Sequence, residues 1–301
     1  MRHLSDSFIK DLQEGNLNQL LNAVRKDDSL CLAIRDNYIN IYYRGGNMCK
    51  VETRENGYSF SFNANYSEEY REIIKAIPSG DCEKWIEKFP FLKTQMDFWF
   101  HKNPKLEREF QQVLLRENNN SKVARDTDYF IADIEYVEND SRFDLFGVKW
   151  LSTASQRRNG ENARISFMEL KYGDGALTGN SGLDKHFEDM RNFLSHKAKR
   201  ENIYKEIETL FNQLWKLGLI RGVDKDICLD SKKRPEFLLL FANHKPAKTV
   251  LKRELEKIIK SDIYAELKEI CDVRIASSSL LGYGLYANCM LSPEEFVITQ
   301  N

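Results

Sequence analysis

RFDLFGVKW at residues 142–150 and RISFMELK at residues 164–171 are two strand-like apolar segments that contain acidic residues. Because side chains alternate between the faces of a strand, Glu169 and Lys171 share one face with apolar residues of the second segment. A carboxylate and an ammonium at the end of an apolar face are costly to bury without partners. They therefore predict a salt bridge, a metal site or a substrate site. Asp144 in the first segment could supply a second carboxylate for a divalent metal ion.

The composition is that of an ordinary folded protein and not of a polycation. The chain has 301 residues, of which 42% are hydrophobic and 30% charged, and its net charge is −1. A nucleic-acid surface would therefore have to be a local patch. No apolar run reaches the ~18 residues needed to cross a bilayer, and the N-terminus has no secretion signal. The sequence predicts a cytoplasmic protein with no membrane partner.

The cysteines give no sign of a zinc site or of a disulfide framework. The six cysteines are scattered, and none has CxxC or CxH spacing. Such scattered cysteines are typical of proteins in a reducing compartment.

The first part of the chain predicts a separate module. Residues 5–25 have the apolar spacing of one amphipathic helix. Residues 30–62 form four strand-like runs separated by turn signals, which predicts an antiparallel meander. Residues 66–102 predict helices interrupted by prolines, including Pro90. We assign 1–103 to a recognition or dimerisation module.

The second part, residues 104–301, alternates strands and helices. The expected order is helix, three strands, helix, strand, helix and strand, with the strands at 129–137, 142–150, 164–171, 236–242 and 271–276. Helices are expected at 183–196, 201–217 and 247–270. Three consecutive strands followed by a helical crossover favour a mixed β-sheet flanked by helices. The predicted class is therefore α/β of the α+β type.

This element order, with Asp144 on one strand and Glu169-Leu170-Lys171 on the next, resembles the PD-(D/E)xK nuclease superfamily. The resemblance covers about residues 104–245, or extends to 276 if the last strand belongs to it. It implies a restriction-endonuclease-like core in which two central strands carry the D…(D/E)xK residues. Phe143 stands where the superfamily pattern has a proline, a departure that many members share.

The resemblance implies a role for each residue of the pattern. Asp144 and Glu169 would bind Mg²⁺ or Mn²⁺, and the Leu170 carbonyl could add an oxygen ligand. Lys171 would orient or help deprotonate the attacking water and stabilise the developing charge.

Two helices of the superfamily add further residues. Glu109 is the favoured match for a glutamate on the first helix, with Glu107 as its competitor. His186 or Lys185 would lie on the helix that covers the site. Asp133 and Glu135 share one face of the first strand. Either one of them is an extra metal ligand, or the two form the polar face of a half-exposed strand.

Each of these residues also has a structural interpretation. Asp144 could pair with Arg142, Lys171 could be a surface lysine at a strand end, and His186 could be a helix-surface or partly buried histidine. The tripeptide alone is uninformative, because Glu266-Leu267-Lys268 repeats it on an expected helix.

Basic clusters follow the candidate site and could contact phosphates. Besides Lys185, they are Arg157 with Arg158, then Lys197, Lys199, Arg200 and Lys205, and then Lys232, Lys233, Arg234, Lys245 and Lys248. Each cluster can equally be a solvated charged face.

The leading hypothesis is a metal-dependent nuclease that hydrolyses phosphodiester bonds. DNA is favoured over RNA on the precedent of the superfamily, and restriction, repair or defence would fit such an enzyme. The partner would be nucleic acid, and the N-terminal module is compatible with a homodimer or a protein partner. The alternative is a catalytically decayed nuclease-fold protein that binds nucleic acid or assembles a complex. A third interpretation is a protein-interaction module with structural acids.

Overall fold

The computed structural model describes residues 1–67, 71–120, 126–138, 141–179, 182–242, 250–278 and 290–299. The chain divides into two units. Unit 1 consists of Met1–Arg116 and Asn212–Arg221, and unit 2 consists of Glu117–Phe211 and Gly222–Asn301. The boundary expected at residue 103 thus falls inside unit 1, which also takes in a short segment from much later in the chain.

Unit 1 contains a four-stranded antiparallel sheet in the order β1-β2-β3-β4. Its strands are β1 Leu30–Ile34, β2 Tyr38–Tyr43, β3 Gly46–Arg54 and β4 Gly57–Ser61. Its helices are α1 Asp6–Gln13, α2 Asn18–Lys26, α3 Arg71–Lys75, α4 Cys82–Lys102 and α5 Leu106–Asn119, which continues into unit 2 after Arg116. The predicted meander is confirmed.

The helices of unit 1 differ from the prediction in two places. The single helix expected at 5–25 is divided into α1 and α2, because the chain turns at Gly15, where a Cβ would overlap Asp11. The break expected at Pro90 does not occur, and α4 continues through it. Phe89 and Leu92 on either side of Pro90 are buried, so apolar packing outweighs the missing backbone hydrogen bond.

Unit 2 contains a five-stranded sheet in the order β5-β6-β7-β8-β9. Its strands are β5 Tyr129–Glu138, β6 Ser141–Lys149, β7 Arg164–Tyr172, β8 Glu236–Ala242 and β9 Asp272–Ser278. Pairing is antiparallel from β5 to β7 and parallel from β7 to β9, so the predicted mixed sheet is confirmed.

Helices flank this sheet, as expected for an α+β protein. They are α6 Ala154–Arg157, α7 Leu183–Ser195, α8 Lys197–Lys216, α9 Val250–Ile259, α10 Asp262–Ile270 and α11 Pro293–Thr299, and α8 continues into unit 1 after Phe211. The helix expected at 247–270 is divided, because the Ser261 hydroxyl accepts the Tyr264 N–H and caps a new helix, α10. In the described ranges, no helix is both long and apolar enough to cross a membrane.

Candidate active site

The antiparallel pairing of β6 with β7 brings the two predicted carboxylates together. Leu145 pairs with Met168, and extending this register by one residue places Asp144 opposite Glu169. The N–H of Leu170 donates to Asp144 Oδ2 at 2.9 Å. The Asp144 carboxylate therefore takes the place of a strand carbonyl beyond the last regular pair. The side chain of Arg142 lies outside the described part, so its pairing with Asp144 stays a prediction.

Glu169 and Lys171 form a buried ion pair on one face of β7. Lys171 Nζ lies 2.8 Å from Glu169 Oε1, and the side chains are only 5% and 3% exposed, respectively. This is the salt bridge that their shared strand face predicted as one of three outcomes. The interpretation of Lys171 as a solvated surface lysine is wrong, because its ammonium is buried.

Helix α7 carries His186 to this ion pair. His186 Nδ1 lies 3.1 Å from Glu169 Oε1, and the imidazole side chain is 16% exposed. Met190 and Phe193 follow at helical spacing and are buried, and the Phe193 ring contacts the Phe167 ring with centroids 5.8 Å apart. Because Phe167 shares the strand face of Glu169, the apolar stripe of α7 fixes His186 beside the carboxylate.

The environment of Glu169 disfavours its ionised form. Burial, and then the nearby Asp144 carboxylate, raise the pKa of Glu169 well above its usual range. The Lys171 ammonium lowers that pKa without cancelling the rise, and a hydrogen bond between the Asp144 and Glu169 side chains favours the protonated acid. A cation that bound both carboxylates would favour their ionised forms and oppose this rise of the Glu169 pKa.

The donor atoms fit a hard divalent cation that prefers oxygen ligands. Asp144 and Glu169 offer carboxylates, and the Leu170 carbonyl points to the same side of its strand as the N–H that binds Asp144. Among the described residues, no three His, Cys, Asp or Glu side chains form a group that could hold a metal ion. Mg²⁺ keeps several waters, so two carboxylates and a carbonyl suffice for it.

Asp133 is buried, so β5 is not the half-exposed strand that one interpretation expected. Asp133 is only 1% exposed, and its Oδ1 atom accepts a hydrogen bond from the Ile134 N–H at 2.8 Å. A register shift lies between Ile131 and Asp133, and Glu135 has a φ of 53°. A metal-binding role for either acid stays a prediction.

The predicted helix glutamate has a different environment. Glu109 belongs to unit 1, where its carboxylate lies 3.0 Å from Arg44 Nη2. Its competitor Glu107 belongs to the same unit. Neither residue belongs to unit 2, which contains Asp144, Glu169 and Lys171.

Two of the predicted phosphate contacts have local partners. Arg157 is half-buried: it donates from Nε to the Leu151 carbonyl at 2.9 Å and stacks 4.7 Å from the centre of the Phe130 ring. Burial lowers the pKa of Arg157 to about 10. Arg157 therefore has contacts within the fold, and its phosphate contact stays a prediction. Lys185 lies 2.9 Å from Asp189 and 3.3 Å from Glu188, which offset its charge.

The remaining basic residues that were predicted to contact phosphates differ in their environments. Arg158 is exposed and Lys199 is half-buried, and their phosphate contacts stay predictions. Lys197 and Arg200 line a cavity described below. Lys245 and Lys248 lie outside the described residues.

Sequence reasoning did not predict the buried polar groups at the opposite end of the sheet. Lys149 Nζ lies 2.8 Å from Glu236 Oε1, and the Glu236 side chain is 1% exposed. Arg164 and Asp272 form a second ion pair at 2.7 Å. The signal that could have identified the first pair is a glutamate that begins the otherwise apolar run of β8.

No family model, curated protein or solved structure matches the chain. The protein is therefore classified here by its fold and by the residues of its candidate site. Unit 2 is a mixed sheet flanked by helices, with two acids, a lysine and a histidine gathered at one end of its central strands.

Proposed function

We propose that this protein is a metal-dependent nuclease with a restriction-endonuclease-like core in unit 2. The observation that carries the proposal is the convergence of Asp144, Glu169 and Lys171 on adjoining strands, with His186 beside them. These are the residue types that phosphodiester hydrolysis needs: acids for a cation, and a cationic group near the attacking water.

Each residue of the site has a defined task in this proposal. Asp144 and Glu169, with the Leu170 carbonyl, would hold Mg²⁺ or Mn²⁺, which when bound neutralises charge on the phosphate. Lys171 would orient the attacking water and stabilise charge that develops on the phosphate oxygens. Its ammonium suits this role because burial strengthens its interaction with an anionic reacting group.

His186 acts in this proposal as a positioning residue. Its Nδ1 contacts the same Glu169 oxygen that Lys171 contacts, so Oε1 is held from two directions. Such restraint limits the rotation of a ligand carboxylate and keeps it directed at the cation site.

The substrate follows only from the resemblance. We favour DNA over RNA on that precedent, and restriction, repair or defence as the setting, with the meander of unit 1 as a recognition or dimerisation module. The alternative function is a nucleic-acid-binding or complex-assembly protein on a decayed nuclease core. It is favoured by the buried ion pair of Lys171 with Glu169 at 2.8 Å, in which a group of the protein itself satisfies the carboxylate.

The test is a cleavage assay on labelled single- and double-stranded DNA and RNA with Mg²⁺, Mn²⁺ or EDTA. Asp144→Asn, Glu169→Gln and Lys171→Ala should each reduce metal-dependent cleavage by at least about 10²-fold, since each removes a charge-stabilising group. The matched control is Lys268→Ala, because Glu266-Leu267-Lys268 repeats the tripeptide on α10 and Lys268 lies 2.9 Å from Glu294 at the surface.

Cleavage that survives Lys171→Ala, or that is lost in a folded Lys268→Ala, would contradict the assigned site. Retention of one nucleic acid in EDTA without any metal-dependent cleavage would support the decayed core instead.

A further inference from the structure

Unit 2 contains a basic cavity at the end of its sheet opposite the candidate active site. The cavity has a volume of about 430 Å³. Its walls come from the first turn of α8, from residues 231–235 before β8, and from the end of α10. Pro235 precedes β8, whereas Leu239 and Phe241 pair with Glu169 and Lys171. At about 3.3 Å per residue, the cavity lies roughly 13 to 20 Å along the strand from the candidate site.

The structure thereby joins two basic clusters that are about thirty residues apart in sequence. The cavity is lined by the cations Lys197, Arg200, Lys232, Lys233 and Arg234 and by the acids Glu201 and Glu269. The lining residues therefore carry an excess of positive charge.

Three of these cations have partners in the protein. Arg234 donates to Asp272 Oδ1 at 2.7 Å and to the carbonyl oxygens of Glu269 and Cys271 at 2.9 and 2.8 Å. Lys233 donates to the Glu161 carbonyl. Lys197 lies 3.9 Å from Glu201. These side chains build the wall of the cavity and contribute to its potential.

Arg200 and Lys232 are different. The Nε atom of Arg200 is buried and has no hydrogen-bond partner in the described part of the chain. Lys232 is exposed, and among the described residues its ammonium has no ion pair. Arg200 lines the cavity, and among the described residues its guanidinium has no side-chain hydrogen bond or ion pair, so the part that faces the cavity can bind a phosphate oxygen, which suits the planar fork of an arginine.

The helix that supplies Arg200 adds to the same preference. Lys197 is the first residue of α8, which is 20 residues long. The N–H groups in the first turn of a helix lack intrahelical acceptors, and the helix dipole makes this end positive. A helix N-terminus combined with an arginine is a favourable place for a phosphate group.

We propose that this cavity binds a phosphate-bearing nucleotide unit, with Arg200 and Lys232 as its direct contacts. The cavity volume is within the range of small-molecule sites. The phosphate comes from a nucleic-acid strand that also reaches the candidate active site, and only this choice of source rests on the proposed function. A phosphate held at a fixed distance from the scissile bond would set where the strand is cut.

The experiment measures binding in EDTA, where no metal-dependent cleavage occurs. A labelled oligonucleotide is titrated by fluorescence anisotropy at several salt concentrations, and inorganic phosphate and a nucleoside 5′-monophosphate are titrated by calorimetry. The test variant of the full chain is Arg200→Gln with Lys232→Gln. The control is Lys102→Gln with Lys260→Gln, which removes the same charge from two exposed positions outside the cavity.

For the test variant, we expect oligonucleotide affinity to fall about 100-fold, roughly tenfold for each charge-assisted contact. The slope of log K against log salt should fall by about 1.4 for two lost contacts to a single strand. The control variant should retain both values. Loss of mononucleotide binding with unchanged oligonucleotide binding would support the cavity but identify a free nucleotide as its ligand.

Equal behaviour of the test and control variants towards all three probes would overturn the proposal, as would absence of binding by every probe. Because these assays need no cleavage, they are independent of the fate of Lys171→Ala in the nuclease test. Neither Arg200 nor Lys232 makes a described side-chain hydrogen bond, so circular dichroism should show an unchanged fold.

Discussion

At the scale of single residues, Glu169 dominates the behaviour of the site. Its carboxyl group is buried beside Asp144 and contacts both Lys171 and His186 through one oxygen. Metal-free protein should therefore keep a proton on this acid at a pH where an exposed glutamate is ionised. Binding of a cation would release that proton, which couples metal affinity to pH.

Glu169→Gln should change the pH dependence of stability in EDTA. The pKa of Glu169 is raised from its ordinary 4.5 by burial and then by Asp144, so the folded state retains a proton that the unfolded state loses. Wild-type stability should then fall, relative to the variant, by up to about 1.4 kcal/mol per pH unit between the unfolded and folded pKa values. Urea unfolding from pH 5 to 8 measures the difference.

Parallel pH profiles for the two proteins would show that Glu169 ionises normally. As an independent control, Mg²⁺ should raise the unfolding free energy of the wild type more than that of the variant, because a ligand stabilises the state that binds it.

Some residue roles follow from local pattern and others do not. Strand alternation was sufficient to put Glu169 and Lys171 on one face, and their burial follows from the apolar residues around them. The burial of Arg157 could not be predicted, because arginine is usually exposed and its carbonyl partners come from the chain's tertiary path. The cavity at Arg200 could not be predicted either, because only the tertiary fold brings Lys232 to it.

At the scale of elements, the close spacing of β5, β6 and β7 depends on a glycine. A Cβ added at Gly147 would lie 2.5 Å from the Phe130 carbonyl oxygen and 2.6 Å from Met168 Cε. Neighbouring strands on both sides of β6 therefore leave no room for a side chain at this position.

Gly147→Ala should lower the free energy of unfolding by about 1–3 kcal/mol, because it overpacks the middle of the sheet. The matched control is Gly175→Ala, where an added Cβ would meet no atom within 4 Å and the change should stay within about 0.5 kcal/mol. Chemical denaturation followed by tryptophan fluorescence measures both. Equal stability of the two variants would mean that β6 shifts to accommodate the methyl group.

The elements themselves were predicted where the local pattern is strong. Strand β8 has the predicted bounds, Glu236–Ala242, because its apolar run is short and ends abruptly. The continuation of α4 through Pro90 was not predicted, because burial of Phe89 and Leu92 is a tertiary effect that outweighs local preference. The division before α10 depends on a single capping hydroxyl at Ser261.

At the scale of the whole molecule, unit 1 is assembled from distant parts of the chain. The Gln112 side chain accepts the Gly45 N–H at 2.7 Å and donates to the Ser29 carbonyl at 2.7 Å. The Gln213 side chain likewise exchanges two hydrogen bonds with the backbone of Leu4, at 2.9 and 2.8 Å. Local sequence patterns could not place residues 212–221 in unit 1, because the contacts of Gln213 with Leu4 join positions 209 residues apart.

A fragment cut at the boundary that the sequence predicted, residues 1–103, should not unfold cooperatively. It lacks both Gln112 and Gln213, so the backbone groups of Leu4, Ser29 and Gly45 that they satisfy would lose their partners. Thermal unfolding by circular dichroism compares the fragment with the full chain. A sharp two-state transition in the fragment would show that the meander is stable by itself.

Because unit 1 consists of two segments of the chain, it cannot be completed early in translation. The first segment of unit 1 ends at Arg116 and its second segment begins at Asn212. A ribosome must therefore add roughly 100 residues before the first segment can contact the second. At about 5–20 residues per second, this delay is on the order of 5–20 s. During this interval the nascent chain cannot form the hydrogen bond from the Leu4 N–H to Gln213 or the one from Arg25 to the Leu217 carbonyl. Early truncation of translation should therefore yield products that chaperones and proteases recognise.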